Sequence, residues 1–157
     1  MAIGQFFSQR FGYAVHALAY VAKKKPGELT TLPEVADWMR TIWPDVSETY
    51  LSNVVQRLAR GGLLRSHRGV AGGYSLSRKA NKINLRDLVE LLEGVELNRC
   101  GLSLEGACPV QSRCSIQGKL QDLEISYLRS LAKVSIADLA DNIVITRPRK
   151  RKKATAK

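Results

Sequence analysis

The chain has 157 residues, of which 45% are hydrophobic, and its 25 basic and 14 acidic residues give a formal net charge of +11. This length allows one domain with a core of its own, and the charge favours polyanionic partners such as DNA, RNA or an anionic membrane surface. No apolar run is long enough to span a membrane, and the N-terminus lacks the pattern of a secretory signal. We therefore expect a cytoplasmic protein with no membrane partner.

The first part of the chain predicts two helices. The first helix covers about residues 6–24, has one apolar face, and ends at Pro26-Gly27. The second begins after Thr31, where Glu34 three residues later completes a capping-box pattern.

A third helix and a β-hairpin follow. The helix covers about residues 48–60, begins at the cap Ser47 and stops at Gly61-Gly62. Residues 63–66 and 74–77 read as two short strands around a glycine-rich turn. Two helices joined by a short turn, with a hairpin behind them, predict a mainly α fold of the winged helix-turn-helix class.

The third helix is the predicted recognition helix. At 1.5 Å per residue it is about 20 Å long, enough to lie in a major groove. Asn53 and Gln56 can pair with base edges, while hydroxyls and arginines reach phosphates, and the cap Ser47 brings helix amides near a phosphate. A solvated helix face is the alternative for any single residue. The predicted contacts of this helix are Ser47, Thr49, Tyr50, Ser52, Asn53, Gln56, Arg57 and Arg60.

The hairpin tip supplies a second predicted contact. Arg68 lies in the glycine-rich turn, where it suits the negative potential of a narrow minor groove. The alternative is an ordinary surface turn whose glycines serve backbone geometry alone. The predicted contacts of the hairpin are Ser66, Arg68, Gly69, Gly72 and Gly73.

The three cysteines of the chain lie between residues 95 and 114, at the spacing Cys100-x7-Cys108-x5-Cys114. An odd number of cysteines fits poorly with a secreted disulfide framework, and clustered thiols in a reducing compartment are metal ligands or redox sensors. A bound inorganic group would order a segment that has no helical periodicity. An iron–sulfur site and a thiol switch both remain open, while structural zinc is disfavoured because close cysteine pairs are absent.

A fourth helix is predicted after the cap Asn84, and a long amphipathic helix over residues 116–134. A second copy of the chain is the simplest partner for the long helix, and folding back on its own domain is the alternative. A short helix is predicted near residues 136–142. The tail, residues 147–157, has seven positive side chains and no acid. This tail either contacts DNA phosphates or only aids solubility. The apolar stripe of the long helix comprises Leu120, Leu123, Tyr127, Leu128, Leu131 and Val134.

Three segments resemble one bacterial family: Tyr50-Leu51, residues 58–76 and residues 83–94. The family is that of the winged-helix iron–sulfur regulators that includes IscR, NsrR and RirA, and the likeness runs from about Phe11 to Asn142. It implies a homodimeric transcription factor that dimerises through its long C-terminal helix and binds a double-stranded DNA operator. It also implies a 2Fe–2S or 4Fe–4S cluster on Cys100, Cys108 and Cys114. Their spacing is nearest the RirA-like branch, which implies iron-responsive repression, with nitric oxide and oxidants as further signals.

Three positions depart from the family pattern. Gln117 stands where IscR-like members have a histidine, and Gly12 stands where NsrR-like members have an acidic residue. The fourth ligand is therefore unassigned, with His16, Glu105, a bound thiol or water as candidates. Ser52 replaces a glutamate of IscR-like recognition helices, so the operator preference does not carry over.

Other classes are less well supported. The chain has no glycine-rich phosphate loop and no nucleophile–base constellation, so we expect neither an enzyme nor a small-molecule substrate. A cofactor-free DNA-binding protein would not need the cysteines. The expected units are a winged helix-turn-helix (1–80), a connecting helix (81–94), a cysteine segment (95–115), a dimerisation helix with a return segment (116–146), and a basic tail (147–157).

Overall fold

The computed structural model describes residues 7–94 and 114–145. Within these ranges the chain is mainly helical with one small antiparallel sheet, which confirms the predicted fold class. Cys100, Cys108, Glu105 and the basic tail lie outside the described residues. The elements are α1 (Gln9–Ala22), α2 (Leu32–Arg40), α3 (Glu48–Arg60), β1 (Leu64–His67), β2 (Gly73–Leu76), a 3₁₀ turn (Ala80–Lys82), α4 (Leu85–Leu92), α5 (Ser115–Ala132) and α6 (Ile136–Asp141).

Helix α1 is the centre of the core. Its start differs from the prediction because Ser8 is the cap: its Oγ accepts a hydrogen bond from the Phe11 N–H at 3.1 Å. The predicted apolar face comprises Phe11, Val15, Leu18, Ala19 and Ala22. The sequence suggests this one apolar face, yet Tyr13, Ala17 and Tyr20 outside that face are buried as well. The reason is that α2, α3, α4, α6 and β2 all pack against this helix.

The helix-turn-helix consists of α2 and α3, and both begin at their predicted caps. Thr31 and Glu34 form a capping box, and the Ser47 Oγ accepts the Tyr50 N–H at 3.2 Å. The Arg40 guanidinium at the end of α2 lies 3.2 Å from the Glu48 carboxylate in the first turn of α3. This ion pair joins the two helices on either side of their connecting turn.

The hairpin pairs Leu64 with Leu76 at its base and His67 with Gly73 near its tip, one residue from the predicted strand bounds. It also has an anchor that the sequence does not reveal. Thr30, just before α2, donates its N–H to the Tyr74 carbonyl at 2.9 Å and accepts the Tyr74 N–H at 2.8 Å. The hairpin is therefore fixed to the helix-turn-helix by backbone hydrogen bonds.

The C-terminal helices return to the same core. Leu128 and Leu131 of α5 and Ile136 of α6 are buried together with residues of α1 and α4. The Ile136 N–H donates to the Ile83 carbonyl at 2.8 Å, next to the start of α4. None of the helices in the described ranges has the length and apolar character needed to cross a membrane.

Candidate nucleic-acid interface and cysteine site

Helix α3 has a buried face and a polar outer face. The buried residues are Leu51, Val54, Val55 and Leu58. Of the predicted contact residues, Ser47, Thr49, Asn53, Gln56, Arg57 and Arg60 are exposed, whereas Tyr50 and Ser52 are half-buried.

Two of these residues are engaged in building the start of α3. The Tyr50 ring packs edge-on against the Tyr13 ring, with 4.9 Å between the centroids. The Tyr13 hydroxyl accepts the Ser47 N–H at 3.0 Å, while the Ser47 Oγ caps the helix. Tyr13 in α1 therefore fixes the N-terminal end of the recognition helix.

Side chains farther along α3 differ in what they contact. The Gln56 Nε2 donates to the Ser52 Oγ at 3.3 Å, which orders two polar groups on the outer face. Arg57 instead extends towards α4, where its Nε and Nη2 lie 3.3 and 3.0 Å from the Leu91 carbonyl oxygen. Nothing in the sequence indicates this interaction, because Leu91 is 34 residues away.

The glycines of the hairpin tip are explained by backbone geometry. Gly69 has a φ of +112°, a conformation that other residues rarely adopt. A Cβ on Gly72 would lie 2.5 Å from the His67 carbonyl oxygen, and one on Gly73 would lie 2.8 Å from the Thr30 carbonyl oxygen. These glycines shape a tight turn that carries the outward-facing side chains.

The exposed side chains at this tip include Ser66, Arg68 and Val70. Val70 is fully exposed. The hairpin thus presents a positive charge and an apolar side chain on the end of a rigid turn. That combination fits a minor groove, whose potential attracts arginine and whose sugars accept apolar contacts.

Cys114 is the one cysteine within the described ranges. It is the half-buried cap of α5, and its Sγ accepts the Gln117 N–H at 3.4 Å. Hydrogen bonds to sulfur are one of the means by which proteins tune iron–sulfur clusters. The donor chemistry at Cys114 therefore fits a cluster ligand. In the part of the chain that the structure describes, no three His, Cys, Asp or Glu side chains group as a metal site.

Of the candidates for a fourth ligand, His16 lies within the described residues. The His16 Nδ1 lies 2.7 Å from the Gly12 carbonyl oxygen, and its ring packs edge-on against Trp43 with 4.7 Å between centroids. His16 is thus hydrogen-bonded within α1 and packed against the turn between α2 and α3. Gln117 is buried close to Cys114 in the first turn of α5.

A helix-turn-helix with a hairpin wing and a long helix behind it defines a winged-helix DNA-binding protein. Residues 7–142 match the Rrf2 family of iron-dependent transcriptional regulators, so the chain belongs to the Rrf2 family. It is a DNA-binding transcriptional regulator and not an enzyme, and regulators of this family are generally dimeric. The match confirms the family identified from the sequence.

Solved structures support the same conclusion. CymR, the global cysteine regulator of B. subtilis, is 26% identical and superposes with a TM-score of 0.65, covering 88% of this chain and 98% of that chain. CymR from Staphylococcus aureus is also 26% identical, with a TM-score of 0.61 and coverage of 87% and 99%. IscR from T. potens has the same fold at 23% identity, with a TM-score of 0.64 and coverage of 90% of each chain.

Proposed function

We propose that the protein is a homodimeric repressor that reads a double-stranded DNA operator with α3 in the major groove and the hairpin wing in the adjacent minor groove. The observation that carries this proposal is the outer face of α3, where polar side chains remain exposed opposite four buried aliphatic residues. The exposed Arg68 at the rigid wing tip supports it. A major groove admits a helix of this size, and a narrow minor groove attracts an arginine.

The exposed side chains suggest a division of roles. Asn53 and Gln56 face solvent and carry the paired donor and acceptor groups that read base edges, with Gln56 held by Ser52. We assign the exposed Thr49, Arg60 and Ser66 to phosphate contacts, and the exposed Arg68 to the minor groove. Ser47, Tyr50 and the wing glycines act by shaping this surface.

The first half of α5 is the proposed dimer surface. Ile116, Leu120 and Leu123 recur at a spacing of four and three residues and are 71%, 50% and 67% exposed. Large apolar side chains in such a row favour burial against another apolar surface. A second copy of the same helix would cover them and place two recognition helices on one duplex, with two-fold symmetry.

We infer that Cys100, Cys108 and Cys114 hold a 2Fe–2S or 4Fe–4S cluster. When bound, the cluster supplies an inorganic group that is lost or damaged by iron limitation, nitric oxide or oxidants. Cys114 contributes a sulfur ligand at the N-terminus of α5, the helix that also carries the proposed dimer surface. Loss of the cluster therefore changes the chain where the proposed dimer surface begins. We expect this change to release DNA in the cytoplasm.

Anaerobic purification tests the cluster. The protein should be brown and contain iron and acid-labile sulfide, and Cys108→Ala should abolish the visible absorbance while the far-ultraviolet circular dichroism stays unchanged. A colourless protein with stoichiometric zinc would overturn the assignment. Operator binding with and without an iron chelator, on a duplex selected by the protein from a random library, then tells whether the cluster controls DNA binding.

A thiol switch is the second candidate. The likeness to CymR of Staphylococcus aureus, whose oxidised form has also been solved, favours it. Only two of the three thiols are needed for such a switch. Metal-free protein whose operator affinity falls on treatment with peroxide and recovers with a dithiol reductant would support the switch over the cluster.

A further inference from the structure

Two arginines of the DNA-reading half hold the C-terminal end of α4. The Arg57 Nη2 and Nε of α3 lie 3.0 and 3.3 Å from the Leu91 carbonyl oxygen. The Arg10 Nη1 of α1 lies 2.9 Å from the Leu92 carbonyl oxygen. Both acceptors belong to the last turn of α4, where carbonyls lack partners within the helix and where the helix dipole favours cations.

The same end of α4 touches α3 at a second point. Gly61 directly follows α3, and a Cβ there would lie 2.4 Å from both terminal methyl groups of Leu91. The φ of Gly61 is −80°, which other residues also adopt, so the close approach of the Leu91 side chain, and not the backbone conformation, disfavours a larger residue at this position. The guanidinium fork of Arg57 and the close approach of Gly61 to Leu91 are therefore two points at which the C-terminal end of α3 meets α4.

We propose that Arg57 is a positioning residue, which sets the orientation of the recognition helix through Leu91 and does not bind a phosphate. The inference rests on the proposed DNA-binding function of α3. Base-edge hydrogen bonds depend on the angle at which a helix enters the groove, whereas nonspecific binding depends on charge. A positioning residue therefore affects the preference for one sequence, and a phosphate-binding residue affects all duplexes and the salt dependence.

The first test compares Arg57→Ala with Arg60→Ala, a matched arginine one turn farther along the exposed face. Affinities are measured over a salt series for a duplex selected by the wild-type protein and for an unrelated duplex of equal length. Arg57→Ala should weaken binding to the selected duplex by about tenfold at every salt concentration, with the slope and the unrelated duplex unchanged. Arg60→Ala should weaken both duplexes and flatten the slope by about 0.9 for each phosphate that the variant no longer neutralises.

The second test alters the same contact between α3 and the end of α4 without changing a charge. Gly61→Ala should push Leu91 away and reduce the preference for the selected duplex, again with an unchanged salt slope. Adding Leu91→Ala removes the clashing atoms and should restore the preference. Arg57→Lys keeps the charge but lacks the two-nitrogen fork, so it should behave like Arg57→Ala.

Three results would overturn the proposal. A slope flattened by Arg57→Ala as much as by Arg60→Ala would show that Arg57 binds a phosphate. Wild-type affinity of Arg57→Ala for the selected duplex would show that the contact between α3 and α4 does not matter for binding. If circular dichroism shows that Arg57→Ala does not fold, Arg57→Lys and Gly61→Ala take its place. A wild-type preference for the selected duplex in both variants would then show that the contact between α3 and α4 does not matter for binding. Wild-type protein that selects no duplex would instead refute the underlying DNA-binding proposal.

Discussion

The two halves of α5 have the same apolar spacing but different surroundings. Leu128 and Leu131 in the second half are 5% exposed and belong to the core formed with α1 and α4. Leu120 and Leu123 in the first half are 50% and 67% exposed. An apolar stripe therefore predicts that a helix face is to be buried but does not identify the partner. The second half of α5 is thus buried in the core of its own chain, whereas the first half is exposed and available to pack against another apolar surface.

The largest expected effect comes from the buried half. Leu131→Ala should lower the free energy of unfolding by about 2–5 kcal/mol, because it removes apolar packing and leaves a cavity in the core. Chemical denaturation at one fixed protein concentration measures this. Leu123→Ala removes the same atoms from the exposed half and serves as the control, with a much smaller expected loss of stability. Equal losses of unfolding free energy would show that the two halves of α5 are equally buried.

Disruption of the exposed half should affect assembly while leaving the fold intact. Leu123→Glu puts a carboxylate into the proposed dimer surface, where burial of an unpaired charge is costly. We expect monomers by analytical ultracentrifugation, with a helical circular dichroism spectrum like that of the wild type. Gly118→Glu adds the same charge where an added Cβ meets nothing within 4 Å, away from the row of Leu120 and Leu123. This control should remain dimeric, and a dimeric Leu123→Glu would refute the dimer surface.

Arg68 at the wing tip and Arg78, which is exposed but paired within its own chain, offer a further test of the difference between groups that serve binding and groups that serve the fold. Arg68→Ala should weaken operator binding by about tenfold, as expected when a charge-assisted hydrogen bond is removed, and leave unfolding and the cluster spectrum unchanged. The Arg78 guanidinium bonds to the Lys82 carbonyl and, at 2.8 Å, to the Asp87 carboxylate. Arg78→Ala should therefore lower stability slightly and leave operator affinity unchanged. Unchanged affinity in Arg68→Ala would mean that the wing does not bind the operator.

Elements with local signals are predictable from the sequence. Helix α3 has its predicted bounds because Ser47 caps it and Gly61-Gly62 ends it within a few residues. The family and the fold class follow from the same segment together with the hairpin. The predicted wing agrees with the observed one within one residue, since its glycines are needed for the turn itself.

Contacts between distant residues are not predictable in the same way. The pairing of Thr30 with Tyr74 and the bond from Arg57 to Leu91 join residues far apart in the chain, and neither leaves a periodic pattern. Helical spacing groups Arg57 with the DNA contacts because it puts this residue beside Arg60 and does not show that α4 approaches there. The cluster assignment stays a prediction, since Cys100 and Cys108 lie outside the described residues.

The smallest expected effect concerns a half-buried carboxylate at the start of α2. Glu34 accepts hydrogen bonds from the Lys24 ammonium and, at 3.0 Å, from the Tyr20 hydroxyl, joining α2 to α1. Partial burial works to raise the pKa of the Glu34 carboxyl, but these hydrogen bonds outweigh it and hold the pKa below its usual range. The ionised form is therefore more favourable in the folded chain than in the unfolded chain, where the pKa is about 4.3.

Glu34→Gln tests this linkage through the pH dependence of unfolding. Above about pH 5 the wild type should be more stable than the variant by about 1 kcal/mol, a value reduced by solvent screening of a partly exposed pair. As the pH falls through the lowered pKa, Glu34 becomes protonated in the folded state and the difference should disappear. Glu90→Gln, which removes the exposed pair with Arg86 at 2.6 Å, is the control and should cost only a few tenths of a kcal/mol. A difference between wild type and Glu34→Gln that persists undiminished at about pH 3, below the unfolded-state pKa, would mean that Glu34 stabilises the α1–α2 contact by packing and not by its charge.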